Sequence, residues 1–152
     1  MSASRVSLGQ AAPELYQAVA GLDGLAGKLA TAAGIGEGLS QLLKLRASQI
    51  NGCAFCIKMH TQAALAAGES ADKVAMVPAW RETTFFSEKE AAALSLIEAV
   101  TLISDGQVPD EVYEASAEVL SDEEIAAVEW IGISINAWNR IAIPSRMPVG
   151  PE

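Results

Sequence analysis

Apolar residues recur at steps of three and four along most of the chain, the signature of helices with one buried face. Leu15, Val19, Leu22, Leu25 and Leu29 form the first such series, with Pro13 suited to the opening turn. Gly21, Gly24 and Gly27 weaken that helix, each by up to about 1 kcal/mol relative to alanine, unless they let a second helix approach closely. Residues 34–38, with glycine at every second position, read as a loop. A second helix runs from about Leu39 to Ile50, with Leu39, Leu42, Leu43 and Ile50 inward. It stops at Asn51-Gly52, two residues that tolerate positive φ. A third spans Cys53 to Ala67 without proline and ends at Gly68.

Ser70 and Asp72 start a short helix that Pro78 closes, and Trp80 to Phe86 reads as a bridging turn with aromatic packing. Ser87-Glu-Lys-Glu90 and Ser121-Asp-Glu-Glu124 are capping boxes. The first leads a stripe of Ala92, Leu96, Val100 and Ile103 that Asp105-Gly106 ends; the second leads a long apolar helix. Between them, Pro109, Asp110 and Glu111 open another helix, with acidic residues in its positive first turn. No alternating strand of convincing length occurs. The expectation is an all-α single domain over 1–152, with about six or seven helices and irregular tails at 1–11 and 144–152. Gly34, Gly36 and Gly38 follow no strand, which argues against a nucleotide-binding loop.

Composition sharpens this picture. The chain is 51% hydrophobic but only 5% aromatic, which suits closely packed helices better than a β-sandwich. A formal net charge of −9 argues against nucleic acid or an anionic membrane surface as partner. The most apolar window, Ile125 to Ile143, is interrupted by Glu129, Asn136, Asn139 and Arg140. A buried or subunit-facing helix therefore fits better than a membrane span. The first eight residues lack the apolar core of a secretory signal, so the expected setting is the cytoplasm. In that reducing compartment, two cysteines three apart are more often redox-active or metal-binding than a structural staple.

Those cysteines, Cys53 and Cys56, lie just past the Asn-Gly break, and His60, the only histidine, follows four residues later. At about 100° per residue the three share one helix face. The free N–H groups of a helix start favour thiolate over thiol. Three kinds of chemistry compete. One thiolate attacks a peroxide and the other traps the sulfenic acid as a disulfide. Alternatively, two thiolates and an imidazole bind zinc, though a fourth protein ligand from Cys or His is absent. Or the pair is simply two small core residues. Position favours Cys53 as the more acidic thiol, whereas His60 favours Cys56.

The run Leu45-Arg-Ala-Ser-Gln-Ile-Asn-Gly-Cys-Ala-Phe-Cys-Ile-Lys-Met-His60 resembles the core motif of the AhpD-like alkylhydroperoxidases, grouped with the carboxymuconolactone decarboxylases. The likeness continues through 79–86, 108–113 and 135–140. The CxxC-x3-His pattern is that of the peroxidase-like branch. The resemblance implies an AhpD-like helical bundle assembled as a homo-trimer or hexamer. It also implies a cofactor-free, metal-free dithiol that reduces hydroperoxides and is recharged by a thiol donor, a lipoylated protein being one type. By that match Cys56 forms the sulfenic acid, Cys53 donates a proton and resolves, and His60 sits in the proton relay. The family's relay glutamate falls at Gln41, and an amide takes up no proton at neutral pH. Glu37, one turn earlier, is a substitute by spacing.

Elsewhere the signals are weaker. Trp138, Asn139 and Arg140, like Trp80 and Arg81, suit packing or subunit contact better than a substrate pocket. Lys58 and Arg46 are either solvated or near enough to Cys56 to hold a thiolate, and Met59 is most simply core. Two other functions compete with peroxide reduction. One is a redox-sensing or assembly module without catalysis. The other, decarboxylation of a lactone acid, would leave the thiol pair without a role.

Overall fold

The computed structural model describes residues 4–152, and all regular structure among them is helical. The α-helices are α1 (Leu8–Ala11), α2 (Pro13–Ala33), α3 (Glu37–Asn51), α4 (Ala54–Ala66), α5 (Ala71–Met76), α6 (Glu88–Thr101), α7 (Asp110–Ala117) and α8 (Asp122–Ala142). A 3-10 segment, Val77–Glu82, follows α5. The helical class is as expected, but the described residues form eight α-helices rather than six or seven. The extra one, α1, falls inside the lead-in expected to be irregular; residues 1–3 of that lead-in lie outside the described residues.

Helix α8 is the centre of the packing and touches α2, α3 and α6. Its Ile125, Val128, Ile131 and Ile135 meet Leu94, Leu96 and Ile97 of α6 and Leu39 and Leu43 of α3 in the main core. At Gly132 a Cβ would sit 2.8 Å from Ile97 and 3.0 Å from Val100, so the α6–α8 approach requires glycine there. Both capping boxes form, each Ser hydroxyl accepting from the Glu three residues on while that carboxylate accepts from the Ser N–H.

Several local expectations give way to packing. Gly21, Gly24 and Gly27 meet nothing within 4 Å, so no helix crosses there. Leu15 and Leu25 are 70% and 65% exposed, while Ala26 and Ala30 supply the buried face of α2. A shallow apolar cleft of Leu22, Leu25, Ala26, Leu29 and Trp130 remains open between α2 and α8. Helix α3 begins at Glu37, two residues before the expected Leu39, and a side chain at Gly38 would collide with Glu69. Helix α6 buries Ala93, Leu94, Leu96 and Ile97 and ends at Thr101, short of Asp105-Gly106, which leaves Ile103 exposed. Pro78 does not close α5 but sits inside the 3-10 segment that extends it. Among the described residues, no helix is long and apolar enough to cross a membrane.

Candidate active site

The turn between α3 and α4 places the two sulfurs. Gly52 ends α3 at φ 70°, in the left-handed region that glycine enters without strain. With it the Gly52 N–H reaches Gln49 O at 3.2 Å and the Cys53 N–H reaches Ser48 O at 2.9 Å, a Schellman closure. A buried amide network ties this turn to α8. Asn51 Nδ2 donates to Asn136 Oδ1 and Asn139 Oδ1, both at 2.9 Å. Asn139 Nδ2 donates to Ser48 Oγ at 3.1 Å, and Ser48 Oγ donates to Lys44 O at 2.7 Å. Asn139 is thus a structural clamp.

Cys53 is the N-cap of α4, and its Sγ accepts from the Cys56 N–H at 3.3 Å. Cys56 lies in the first turn, and the two are joined as a disulfide. Each is 1% exposed, yet each lines a different cavity. Cys56 shares a cavity of about 290 Å³ with His60, Tyr16, Asp23, Phe55, Met59, Trp138, Ala142 and Met147. Cys53 lines a neighbouring cleft, described below. Tyr16 and Trp138 meet edge to face at 5.0 Å. Met59, expected in the core, is 43% exposed at the cavity mouth. Tyr16 and Asp23 carried no signal beyond a shared face of α2, seven residues apart.

His60 is buried, and Gln41 holds it: His60 Nδ1 lies 2.8 Å from Gln41 Oε1. Gln41 Nε2 in turn donates to Glu37 Oε1 at 2.7 Å. A carboxylate accepts only from the amide nitrogen, so the amide oxygen must face the ring. Nδ1 therefore carries the proton, and Nε2 is left with its lone pair. That Nε2 is buried and has no hydrogen-bond partner among the described residues. Burial and the nearby Lys44 charge lower the His60 pKa to about 4, Asp23 opposing them, so the ring is neutral. Lys44 pairs with Asp23 at 3.0 Å, and Ser134 Oγ donates to the same carboxylate oxygen at 2.9 Å.

The cations singled out in the sequence are committed elsewhere. Lys58 donates to Gly150 O at 2.8 Å, tying down the tail. Arg46 pairs with Glu98 at 2.8 Å. Glu98 also accepts from Trp80 Nε1 at 2.9 Å and Arg81 at 2.6 Å, so Arg46, Trp80 and Arg81 converge on one largely buried carboxylate. Arg140 donates to Asn136 at 2.8 Å. Among the described residues, no group of three or more His, Cys, Asp or Glu is arranged to hold a metal ion.

An all-helical chain that presents a CxxC pair at a helix start, four residues before a buried imidazole, defines the class. The model of the carboxymuconolactone decarboxylase family matches residues 13–99, and the chain belongs to that family. It is 40% identical over 139 residues to the uncharacterized protein YdfG of Bacillus subtilis, covering 91% of this chain and 92% of that one. It also superposes, with a TM-score of 0.89 and 35% identity, on the crystal structure of ATU0492 from Agrobacterium tumefaciens. That match covers 99% of this chain and 100% of the other, a protein of unknown function for which antioxidant defence of the AhpD type has been suggested.

Proposed function

We propose that the protein is a thiol-dependent peroxidase that reduces organic hydroperoxides through the Cys53–Cys56 pair. The observation that carries this is the shared cavity of Cys56 and His60, with the Nε2 lone pair unpaired and the pair already able to close as a disulfide. In the reduced protein, His60 Nε2 takes the Cys56 thiol proton. The thiolate attacks the terminal peroxide oxygen, the O–O bond breaks, and Cys56 becomes a sulfenic acid. The imidazolium returns the proton to the departing alkoxide. The Cys53 thiolate then attacks the Cys56 sulfur and water leaves, giving the disulfide. One hydroperoxide and two thiols yield one alcohol, one water and one disulfide. A thiol donor recharges the pair. The mainly apolar lining favours alkyl over hydrogen peroxide.

Turnover of cumene hydroperoxide with a dithiol donor tests this directly: peroxide-dependent loss of thiol is expected in the wild type and its abolition in Cys56→Ser. Undiminished turnover in that variant would overturn the assignment.

We further propose that subunits associate through the α2–α8 cleft, a homo-trimer or hexamer being the expected assembly. The exposed Leu25, Leu29 and Trp130, with the half-buried Leu22 beside them, support this. The same surface favours the second reading, a disulfide that governs assembly. Negligible peroxide turnover together with an oxidation-dependent shift on a sizing column would select it.

A further inference from the structure

The two sulfurs open onto opposite sides of a wall. Phe55, Ala142 and Met147 line both cavities, Cys56 only the apolar one, and Cys53 only a cleft of about 440 Å³. That second cleft has a different chemistry. Arg5 and Arg146 line it, and among the described residues no carboxylate does. The chain has only 10 lysines and arginines against 19 acidic residues. Lys44, Arg46, Lys58, Lys73, Arg81 and Lys89 are spent on ion pairs. Arg5 and Arg146 have no ion pair among the described residues, and both converge on the cleft that holds Cys53. Arg146 is held at φ 52°, a left-handed conformation that a non-glycine residue adopts only at a cost. An acidic chain has thus placed two arginines without ion pairs along the cleft that Cys53 also lines, and a guanidinium offers planar, bidentate recognition of carboxylates.

We propose that this cleft binds a carboxylate-bearing low-molecular-weight thiol, the reductant of the disulfide, and that the thiol attacks Cys53. The inference rests on Cys53–Cys56 being a cycling disulfide. Peroxide and reductant then use separate doors. The incoming thiolate forms a bond to Cys53 Sγ, the Cys53–Cys56 bond breaks, and its electron pair leaves on Cys56. Cys56 is released as a thiolate into the cavity with His60, on the side where peroxide arrives. A second thiolate attacks the mixed disulfide, releasing the oxidised small-molecule disulfide and the Cys53 thiolate, and solvent protons restore both protein thiols. Two small thiols are oxidised and one protein disulfide is reduced.

The test starts from the oxidised full-length protein and uses no peroxide, so it fails or succeeds separately from the peroxidase assignment. Stopped-flow thiol labelling compares reduction by glutathione with reduction by its dimethyl ester, at equal thiolate concentration. Glutathione is expected to be roughly five- to tenfold faster, the size two partly exposed ion pairs supply. The ratio should fall towards one in the Arg5→Gln/Arg146→Gln double variant, and in the wild type as salt is raised. Because each ratio is internal to one protein, a partly unfolded variant does not obscure it. Acid quenching and peptide fragmentation should locate the transient mixed disulfide on Cys53. A wild-type ratio near one, an adduct on Cys56, or reduction only by a protein-borne dithiol would overturn the proposal.

Discussion

Gln41 stands between Glu37 and His60, 2.7 Å from the carboxylate and 2.8 Å from the ring. It orients the imidazole as a relay glutamate would, yet it contributes no negative charge. The consequence is a division of labour. Geometry is preserved, with Nδ1 protonated and Nε2 free, but the ring is far less basic than one backed directly by a carboxylate. With the His60 pKa lowered to about 4, removing a thiol proton is uphill, and the proposed peroxide step is expected to be slow.

Replacing Gln41 with glutamate restores the charge next to the ring. An adjacent carboxylate raises a histidine pKa by roughly 1–3 units, and the peroxide step should accelerate by about tenfold. Proton NMR titration of the only histidine and single-turnover oxidation check both halves. An unchanged His60 pKa would show that burial alone sets it.

Glu37→Ala removes the group that fixes the Gln41 amide. The amide is then free to flip and present Nε2–H to the ring, which selects the opposite tautomer. We expect the nitrogen-15 signals of His60 to move from pure Nδ1–H towards a mixture. Oxidation should slow about fivefold, the equivalent of one hydrogen bond of about 1 kcal/mol. A pure Nδ1–H spectrum in the variant would assign the orientation to Gln41 without help from Glu37.

The folded-state pKa of His60, about 4, lies below the ordinary histidine value of 6.5. Between those values the unfolded chain binds the extra proton and the native one does not. Stability from this group is therefore intact above pH 6.5 and is lost as the pH falls from about 6.5 to about 4. Chemical denaturation across that window should show the loss in the wild type and less of it in His60→Gln. Catalytically, the peroxide step should show no histidine limb above about pH 5, since the ring stays neutral there.

Glu98 offers a test of the scaffold. Burial alone would raise its pKa, but hydrogen bonds from Trp80, Arg46 and Arg81 outweigh this and lower it. The native state thus holds the carboxylate ionised, and its contribution is lost as the pH falls through that lowered value. Glu98→Ala strands the part-buried Arg46 and the buried Trp80 N–H and should cost about 3 kcal/mol in urea titration. A loss below about 1 kcal/mol would mean that water replaces the carboxylate.

Much of this site was legible from spacing alone. Asn51-Gly52 marked the turn and the steps to Cys56 and His60 marked a shared face, whereas Gln41 came from the family resemblance and Glu37, expected to substitute for the relay glutamate, reaches the ring only through Gln41. What spacing conceals is the far wall. Tyr16, Asp23, Trp138 and Met147 reach the cavity from α2, α8 and the tail, by packing that no local pattern encodes. The leucines of α2 misled for a related reason. Their periodicity is real, but it marks a face left largely open to solvent, while Ala26 and Ala30 make the internal contact. Arg46 and Arg81 were likewise ambiguous until the fold brought Glu98 between them.

The central claim is that Cys56, served by His60, meets peroxide while Cys53 resolves. Rapid mixing of the fully reduced protein with cumene hydroperoxide, one turnover at a time, addresses it most directly. The predicted result is disulfide formation much faster than oxidation of free cysteine, with a trappable sulfenic acid on Cys56 in Cys53→Ser and no fast phase in Cys56→Ser. Oxidation no faster than that of free cysteine, or a sulfenic acid that forms on Cys53 in Cys56→Ser at the wild-type rate, would contradict it.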